Sequence, residues 1–259
     1  VNAPQIGIVV PTLGTRPDYL IQALRSIRSA GNCHVVVVAP DPETIRNNYS
    51  PELIDQIVQD PKSGLAEAIN LGMRSLPSSV QYANWLGDDD LLSPQSLEIT
   101  SHALENSPET VCVFGGCSYI GPDEDVLWVN KSGNYAKWLM HVGSQLIPQP
   151  GLLFTVSAFN EVGGLDSTYK WAFDLDLLLK FSKHGKLLFL PKILSSFRWH
   201  DGSLSVGGRH GSVSEASKIR RSYLPRALRG ISPVWEFFVR RLILVAGVVL
   251  SRRSRHTER

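Results

Sequence analysis

Residues 6–38 read IGIVVPTLGTRPDYLIQALRSIRSAGNCHVVVV, and this stretch decides the fold class. Ile6 to Val10 is a short apolar run ended by Pro11, the pattern of a strand buried on both faces. Pro17 then opens a helical pattern that places Leu20, Leu24 and Ile27 on one face, and Gly31 closes it. His34 to Val38 is a second buried run, stopped by Pro40 and Pro42. A helix from Gly64 to Leu76 and a strand from Tyr82 to Leu86 continue the alternation. Strands alternating with helices predict an α/β chain with a mostly parallel central sheet flanked by helices. Ligands of such sheets sit at the carboxyl ends of the strands, so the loops after Val10, Val38 and Leu86 are the places to look.

Beyond residue 110 the pattern is less regular. Val111 to Tyr119 and Leu127 to Val129 read as strands separated by a turn at Gly121-Pro-Asp, and Leu152 to Thr155 reads as a third. Phe173 to His184 is a helix with Leu177, Leu178 and Phe181 facing inward. Gly202 to Gly211 is glycine-rich and is expected to be a mobile loop, followed by two basic helical segments. There is no internal repeat.

Across 259 residues, 43% apolar and 19% charged residues describe an ordinary soluble α/β chain and exclude a disordered one. The net charge of +2 hides an asymmetry: from Lys218 onward, eleven Lys and Arg face only Glu236 and Glu258, so this tail carries +9 and the rest −7. Cys33, Cys112 and Cys117 are odd in number and lack metal-finger spacing, which predicts a reducing compartment and plain core packing. No basic segment followed by an apolar stretch opens the chain, so no secretion is expected. No apolar run reaches the ~18 residues needed to span a bilayer; the longest is Leu242 to Leu250.

The sharpest chemical feature is Leu86-Gly-Asp-Asp-Asp-Leu-Leu92. Three consecutive carboxylates after a buried strand repel one another, and a hard cation relieves that repulsion: Mg²⁺ or Mn²⁺ takes one or two carboxylates plus phosphate oxygens. The alternative is a solvated acidic turn capping the helix that opens at Pro94. Asp174 and Asp176, spaced i, i+2 at the start of a helix, cannot share a face. One can enter a cleft while the other is solvated or caps the helix.

Taken in order, Ile8-Val-Val-Pro-Thr12 with Arg16, Lys62-Ser-Gly-Leu-Ala-Glu-Ala-Ile-Asn70 and Leu86 to Pro94 resemble the donor half of the family 2 glycosyltransferases of the GT-A fold. Gln149-Pro-Gly-Leu-Leu-Phe154, Val162-Gly-Gly-Leu-Asp166, Ala172-Phe-Asp-Leu-Asp-Leu177 and Phe197-Arg-Trp-His-Asp-Gly-Ser-Leu-Ser205 resemble its acceptor half. The resemblance implies a GT-A domain over residues 1–205, with a donor half of about 1–120 and an acceptor half of about 121–205. Residues 206–259 follow as a flexible loop and basic helical tail. It implies inverting transfer of a sugar from a nucleotide diphosphate sugar to a hydroxyl of a saccharide or lipid-linked acceptor, as in cell-surface polysaccharide or glycolipid synthesis. Two positions depart from the family pattern. Ala39-Pro40 stands where an acid usually meets the nucleobase, with Asp41 two residues later, and Gly87 stands where the metal motif often begins with Asp.

On this basis Pro11, Thr12, Arg16, Asp41, Lys62, Asn70 and Asp88 are expected at the nucleotide. Asp89, with Asp88 and His200, is expected at Mn²⁺ or Mg²⁺. Asp174 is the expected general base, and Gln149, Asp90, Asp176, Arg198 and Trp171 are expected to support the site or the acceptor. Trp138, Trp171 and Trp199 are candidates to stack on sugar faces, or are core residues. A nucleotidyltransferase and a non-catalytic nucleotide-sugar sensor are the rival readings; the first would be expected to carry a glycine-rich basic loop after the first strand. In the tail, Trp235, Phe238, Leu242, Val245 and Val249 recur at helical spacing among arginines. This suits either an anionic membrane surface or packing on the domain or a homodimer partner. The localisation expected is cytoplasmic, on the inner face of the plasma membrane if the tail binds lipid. No nucleic-acid reader motif accompanies the charge, so no nucleic-acid partner is expected.

Overall fold

The apolar runs pair as parallel strands because each must bury both of its faces. In the computed structural model, which describes residues 5–143, 145–200, 202–203 and 208–257, Ile6–Pro11 (β1), His34–Ala39 (β2), Gln56–Gln59 (β3) and Tyr82–Trp85 (β4) lie in the order β3-β2-β1-β4. All three of these pairings are parallel. Successive side chains point to opposite faces. Ile8, Val10, Val35 and Val37 therefore share one core with Leu20, Leu24 and Ile27 of the helix Pro17–Ala30 (α1). Val9, Val36 and Val38 share the other with Ile69 and Met73 of the helix Leu65–Arg74 (α3), the helix Pro42–Asn48 (α2) lying between β2 and β3 in the chain. Gly72 lets α3 lie directly on the sheet: a Cβ there would stand 2.4 Å from Val9 Cγ1 and 2.9 Å from Val38 Cγ2.

The sheet continues from β4 with mixed directions. Leu91–Leu92 (β5), Thr110–Ile120 (β6), Val126–Asn130 (β7), Leu153–Thr155 (β8) and Lys186–Arg198 (β9) extend it in the order β4-β8-β6-β9-β5, with β7 on the side of β6. β8 runs antiparallel to β4 and β6, while β6 and β9 run parallel with register irregularities near Gly116. The sequence reading did not anticipate β9. Its pairing with β5, Leu91 opposite Ser196, carries the end of β9 alongside the acidic turn. The helices Ser96–Glu105 (α4), Ala136–Val142 (α5) and Val156–Glu161 (α6) fill the connections.

Phe173–His184 (α7) buries Leu175, Leu177, Leu178, Leu179 and Phe181, a broader inner face than three residues at helical spacing suggest. Arg209–Tyr223 is helical, so the glycine-rich stretch is shorter than expected at its carboxyl end, and residues 204–207 lie outside the described residues. This helix places Ile219 in the core beside α7. Gly211 allows its close approach, since a Cβ there would stand 2.6 Å from the Trp171 ring. A last helix, Ser232–Thr257, touches the 209–223 helix and β7 and leaves Val234, Phe238, Leu242 and Val245 exposed. Of the expected stripe, Trp235 is half-buried, and the side chain of Val249 lies outside the described set; Val234 is not part of it. Among the described residues no helix is long and apolar enough to cross a membrane. The three cysteines are buried free thiols, and burial pushes Cys33 up to about 12 despite the opposing charge of Arg28.

Candidate active site

The turn after β4 is folded inward, so Asp88, Asp89 and Asp90 are all buried. Each carboxylate is handled differently. Asp88 accepts from Thr12 Oγ1 at 2.5 Å, just past β1, and from Arg16 Nη2 at 2.5 Å. Burial raises its pKa, with Thr12 and Arg16 opposing. Asp89 Oδ2 accepts from Arg16 Nη1 at 2.5 Å and lies 2.8 Å from His200 Nε2. Burial pushes Asp89 upward too, but the His200 hydrogen bond and the Arg16 charge together hold it below the usual carboxylate range. Asp90 is pushed well above its ordinary value by burial and by the Asp89 charge. Its Oδ1 accepts the backbone N–H of Arg198 at 3.0 Å.

Arg198, at the end of β9, is fully buried and ties four segments together. Its Nε donates to the Asp89 carbonyl at 3.0 Å, Nη1 to the Pro122 carbonyl at 2.8 Å and Nη2 to Gln22 Oε1 at 2.7 Å. The guanidinium also stacks on Tyr19, which in turn packs against His200. The Arg-x-His segment thus divides its labour: Arg198 holds the acidic turn from behind, and His200 faces it. Asp201, Leu204 and Ser205 of that segment lie outside the described residues.

A cleft of about 400 Å³ runs from this cluster to the start of α7. Pro11, Arg16 and the three aspartates line one end; Gln149, Trp171, Trp199 and Asp174 line it further along. Gln149 is held by its amide, which donates to Asn84 Oδ1 at 3.1 Å and to the Trp85 carbonyl at 2.8 Å. Asp174 accepts from Gln145 Nε2 at 2.8 Å and from the Leu175 N–H at 2.8 Å. Burial raises its pKa, and the Gln145 bond only partly offsets this. A carboxylate in a cleft with a raised pKa is a stronger base than a free aspartate, as a proton-abstracting group needs.

The remaining expected residues lie elsewhere. Asn70 spends its amide on the Leu165 backbone, donating to its carbonyl at 2.8 Å and accepting its N–H at 3.0 Å. Asp41 is exposed and caps α2, accepting from the N–H groups of Glu43 and Thr44. Lys62 is exposed, and neither it, Asn70 nor Asp41 lines the cleft. Asp176 differs from the expectation of a solvated or capping partner: it is buried, accepts from Tyr223 at 2.9 Å and pairs with Lys180 at 2.8 Å. Trp138 is 71% exposed on α5, away from the cleft. Among the described residues no cluster of three or more His, Cys, Asp or Glu is arranged as a metal cage.

Sequence reasoning missed Gln145, Glu215 and Arg220. Glu215 accepts three successive backbone N–H groups, of Lys170, Trp171 and Ala172, at 2.7–3.0 Å, and so fastens the 209–223 helix to the entrance of α7. Arg220 lines the cleft from the same helix. No short-range pattern marks them, because each acts on a segment 29 or more positions away or on the cleft itself.

No family model matches the chain. It is 24% identical over 212 residues to an uncharacterised glycosyltransferase of Rickettsia typhi, covering 77% of this chain and 65% of that protein. It is 24% identical over 165 residues to the chondroitin synthase of Pasteurella multocida, covering 63% of this chain and 17% of that enzyme. The chain thus spans less than two thirds of the length of these relatives. Among solved structures, the mannosyltransferase of Pyrobaculum calidifontis, in complex with GDP-Man and Mn²⁺, superposes with a TM-score of 0.65 at 16% identity over 96% of this chain and 74% of that one. The 1–349 piece of Staphylococcus aureus TarS with UDP-GlcNAc superposes at 0.60 and 12% identity, over 86% and 72%. The architecture, a mixed α/β fold with a central sheet flanked by helices, is that of these glycosyltransferase structures.

Proposed function

We propose that the chain is an inverting, family 2-like glycosyltransferase that moves a sugar from a nucleotide diphosphate donor to an acceptor hydroxyl. The observation that carries this reading is one cleft with the Thr12–Arg16–Asp88–Asp89–His200 cluster at one end and the half-buried Asp174, held by Gln145, on its wall. The donor half, about residues 1–120, would place the nucleotide beside Pro11, Thr12 and Arg16 at the carboxyl ends of β1 and β4. Asp88, Asp89 and His200 carry the donor types that Mn²⁺ or Mg²⁺ takes, but they are not arranged as a cage: Arg16 holds both carboxylates and His200 Nε2 is bonded to Asp89, so an ion would have to take the place of the Arg16 guanidinium. When bound, such an ion would supply Lewis-acid charge for the leaving diphosphate. Arg16 adds a second positive charge beside that place, and Arg198 keeps the aspartates in position. Asp174, aimed by Gln145 and the Leu175 N–H, removes the acceptor hydroxyl proton as the oxygen attacks. Such a base contributes ~10²–10⁴-fold.

The exposed apolar residues of the Ser232–Thr257 helix and the tail's +9 charge support a peripheral contact with an anionic membrane, where a lipid-linked acceptor would be found.

Calorimetry of UDP and GDP, with and without Mn²⁺, followed by release of sugar from the matching nucleotide sugars, tests the activity. Mn²⁺-dependent nucleotide binding and sugar release are expected, with binding abolished in Asp89→Ala. Unchanged Mn²⁺-dependent affinity in that variant would remove the metal assignment. Absence of nucleotide binding in the parent would remove the function.

A further inference from the structure

Arg220 is 4% exposed, yet among the described residues its guanidinium makes no hydrogen bond and no close ion pair; burial lowers its pKa, and the charge of Glu236 only partly opposes this. Every other arginine buried to this degree would be expected to be paired, as Arg198 is, because an unpaired buried charge is costly. The nearest opposing charge, Glu236, makes its direct ion pair with the neighbouring Arg221 at 2.5 Å and reaches Arg220 only through space. The aspartates of the acidic end make their bonds to Arg16, His200 and the Arg198 N–H, not to Arg220. Arg220 lines the cleft.

The wall that carries it is fastened at two places. Its helix is pinned to the entrance of α7 by Glu215, three hydrogen bonds to successive backbone N–H groups, and is seated on Trp171 through Gly211. The same stretch of chain leads into Asp174. Arg220 therefore stands on the framework of the base, not on that of the acidic cluster. A guanidinium held in such a place presents a planar fork that matches a carboxylate or a phosphate.

We propose that Arg220 is a specificity-determining residue that binds an anionic group, carboxylate or phosphate, on the acceptor sugar. This rests on the transferase reading of the cleft for the word acceptor, while the anion site itself does not.

The full chain is titrated with three sugars of matched size: methyl glucoside, methyl glucuronide and glucose 6-phosphate. Mn²⁺ and the nucleoside diphosphate are titrated separately. One of the two charged sugars is expected to bind at least ~10-fold tighter than the neutral one, the factor one charge-assisted hydrogen bond supplies. Which one does so distinguishes carboxylate from phosphate. Arg220→Gln is expected to erase the difference and Arg220→Lys to keep part of it. Equal binding of all three sugars by the parent, or undiminished discrimination in Arg220→Gln, overturns the assignment. So does a tenfold loss of nucleoside diphosphate affinity in that variant, which would seat the guanidinium on the donor. A parent that discriminates by charge but binds no nucleotide keeps the anion site and removes the transferase reading. Should Arg220→Gln fail to fold, inorganic phosphate decides: displacement of the charged sugar from the parent supports the site, and no displacement overturns it.

Discussion

Replacing Arg198 by Met keeps most of the stem's volume and removes the guanidinium fork. Three close donations are lost, to the Asp89 carbonyl, the Pro122 carbonyl and Gln22 Oε1. The contact to Glu124 at 3.4 Å counts for little, since that carboxylate is half exposed. Hydrogen bonds from a charged donor are worth ~1.5–3 kcal/mol each, but the three are not additive. Deleting the arginine also removes the cost of burying it, and Gln22 can turn toward water. The expected loss is ~2–4 kcal/mol, the cost of leaving the Asp89 and Pro122 carbonyls without their donor. Denaturant unfolding reads this as a lower midpoint at unchanged slope. Because the Asp89 carbonyl is released, Mn²⁺-dependent nucleotide affinity is expected to fall in the molecules that remain folded. A stability loss under ~1 kcal/mol would refute the argument that Arg198 is a strut for the acidic turn.

Asp174→Asn is expected to lower the transfer rate ~10²-fold or more in single turnover while nucleotide affinity is kept; transfer near the parent's rate would move the base to another residue. The sign of its pH effects follows from its raised pKa. The ionised base is lost as pH falls through a value above the ordinary aspartate range, so the acid limb of the rate profile should lie above ~4. The same shift means that burying the charge destabilises the fold above the unfolded-state pKa, so Asp174→Asn should melt no lower than the parent at pH 7; a lower melting temperature would contradict this. Gly72→Ala gains ~1 kcal/mol of helix propensity but forces a methyl against Val9 and Val38. A net loss of ~1–2 kcal/mol is expected in denaturant unfolding. Truncation before Ser232 should release the protein from anionic vesicles at low salt, and high salt should do the same to the full chain. If the full chain does not sediment with such vesicles at low salt, the tail packs on protein instead.

The first half of the fold is legible in one dimension because its strands are buried on both faces. Burial of that kind writes itself as the unbroken runs Ile6–Val10 and His34–Val38, and the intervening helix shows its single apolar face at Leu20, Leu24 and Ile27. The acidic turn was legible for a related reason: three adjacent carboxylates after a buried strand require an explanation wherever they fall. β9 was not legible. Lys186–Arg198 carries lysines, a proline and two serines, and its burial alternates with no fixed period, because it is wedged between a long parallel partner with irregular register and the two residues of β5. The roles of side chains were less legible still. Arg198 and His200 sit two residues apart, yet one is a buried strut and the other faces the acidic cluster, a difference set by which of them meets Gln22 and Pro122. Asn70 reaches 95 residues along the chain to the Leu165 backbone, and Glu215 reaches back 44 to Trp171. Local sequence thus determined the strands buried on both faces, the helices with one apolar face and the acidic turn, since propensity and burial period act over a few residues. Only the tertiary structure decided which charged side chain holds the fold, which faces the cleft and which, like Arg220, makes no hydrogen bond or close ion pair among the described residues, since those outcomes depend on groups brought together across the whole chain.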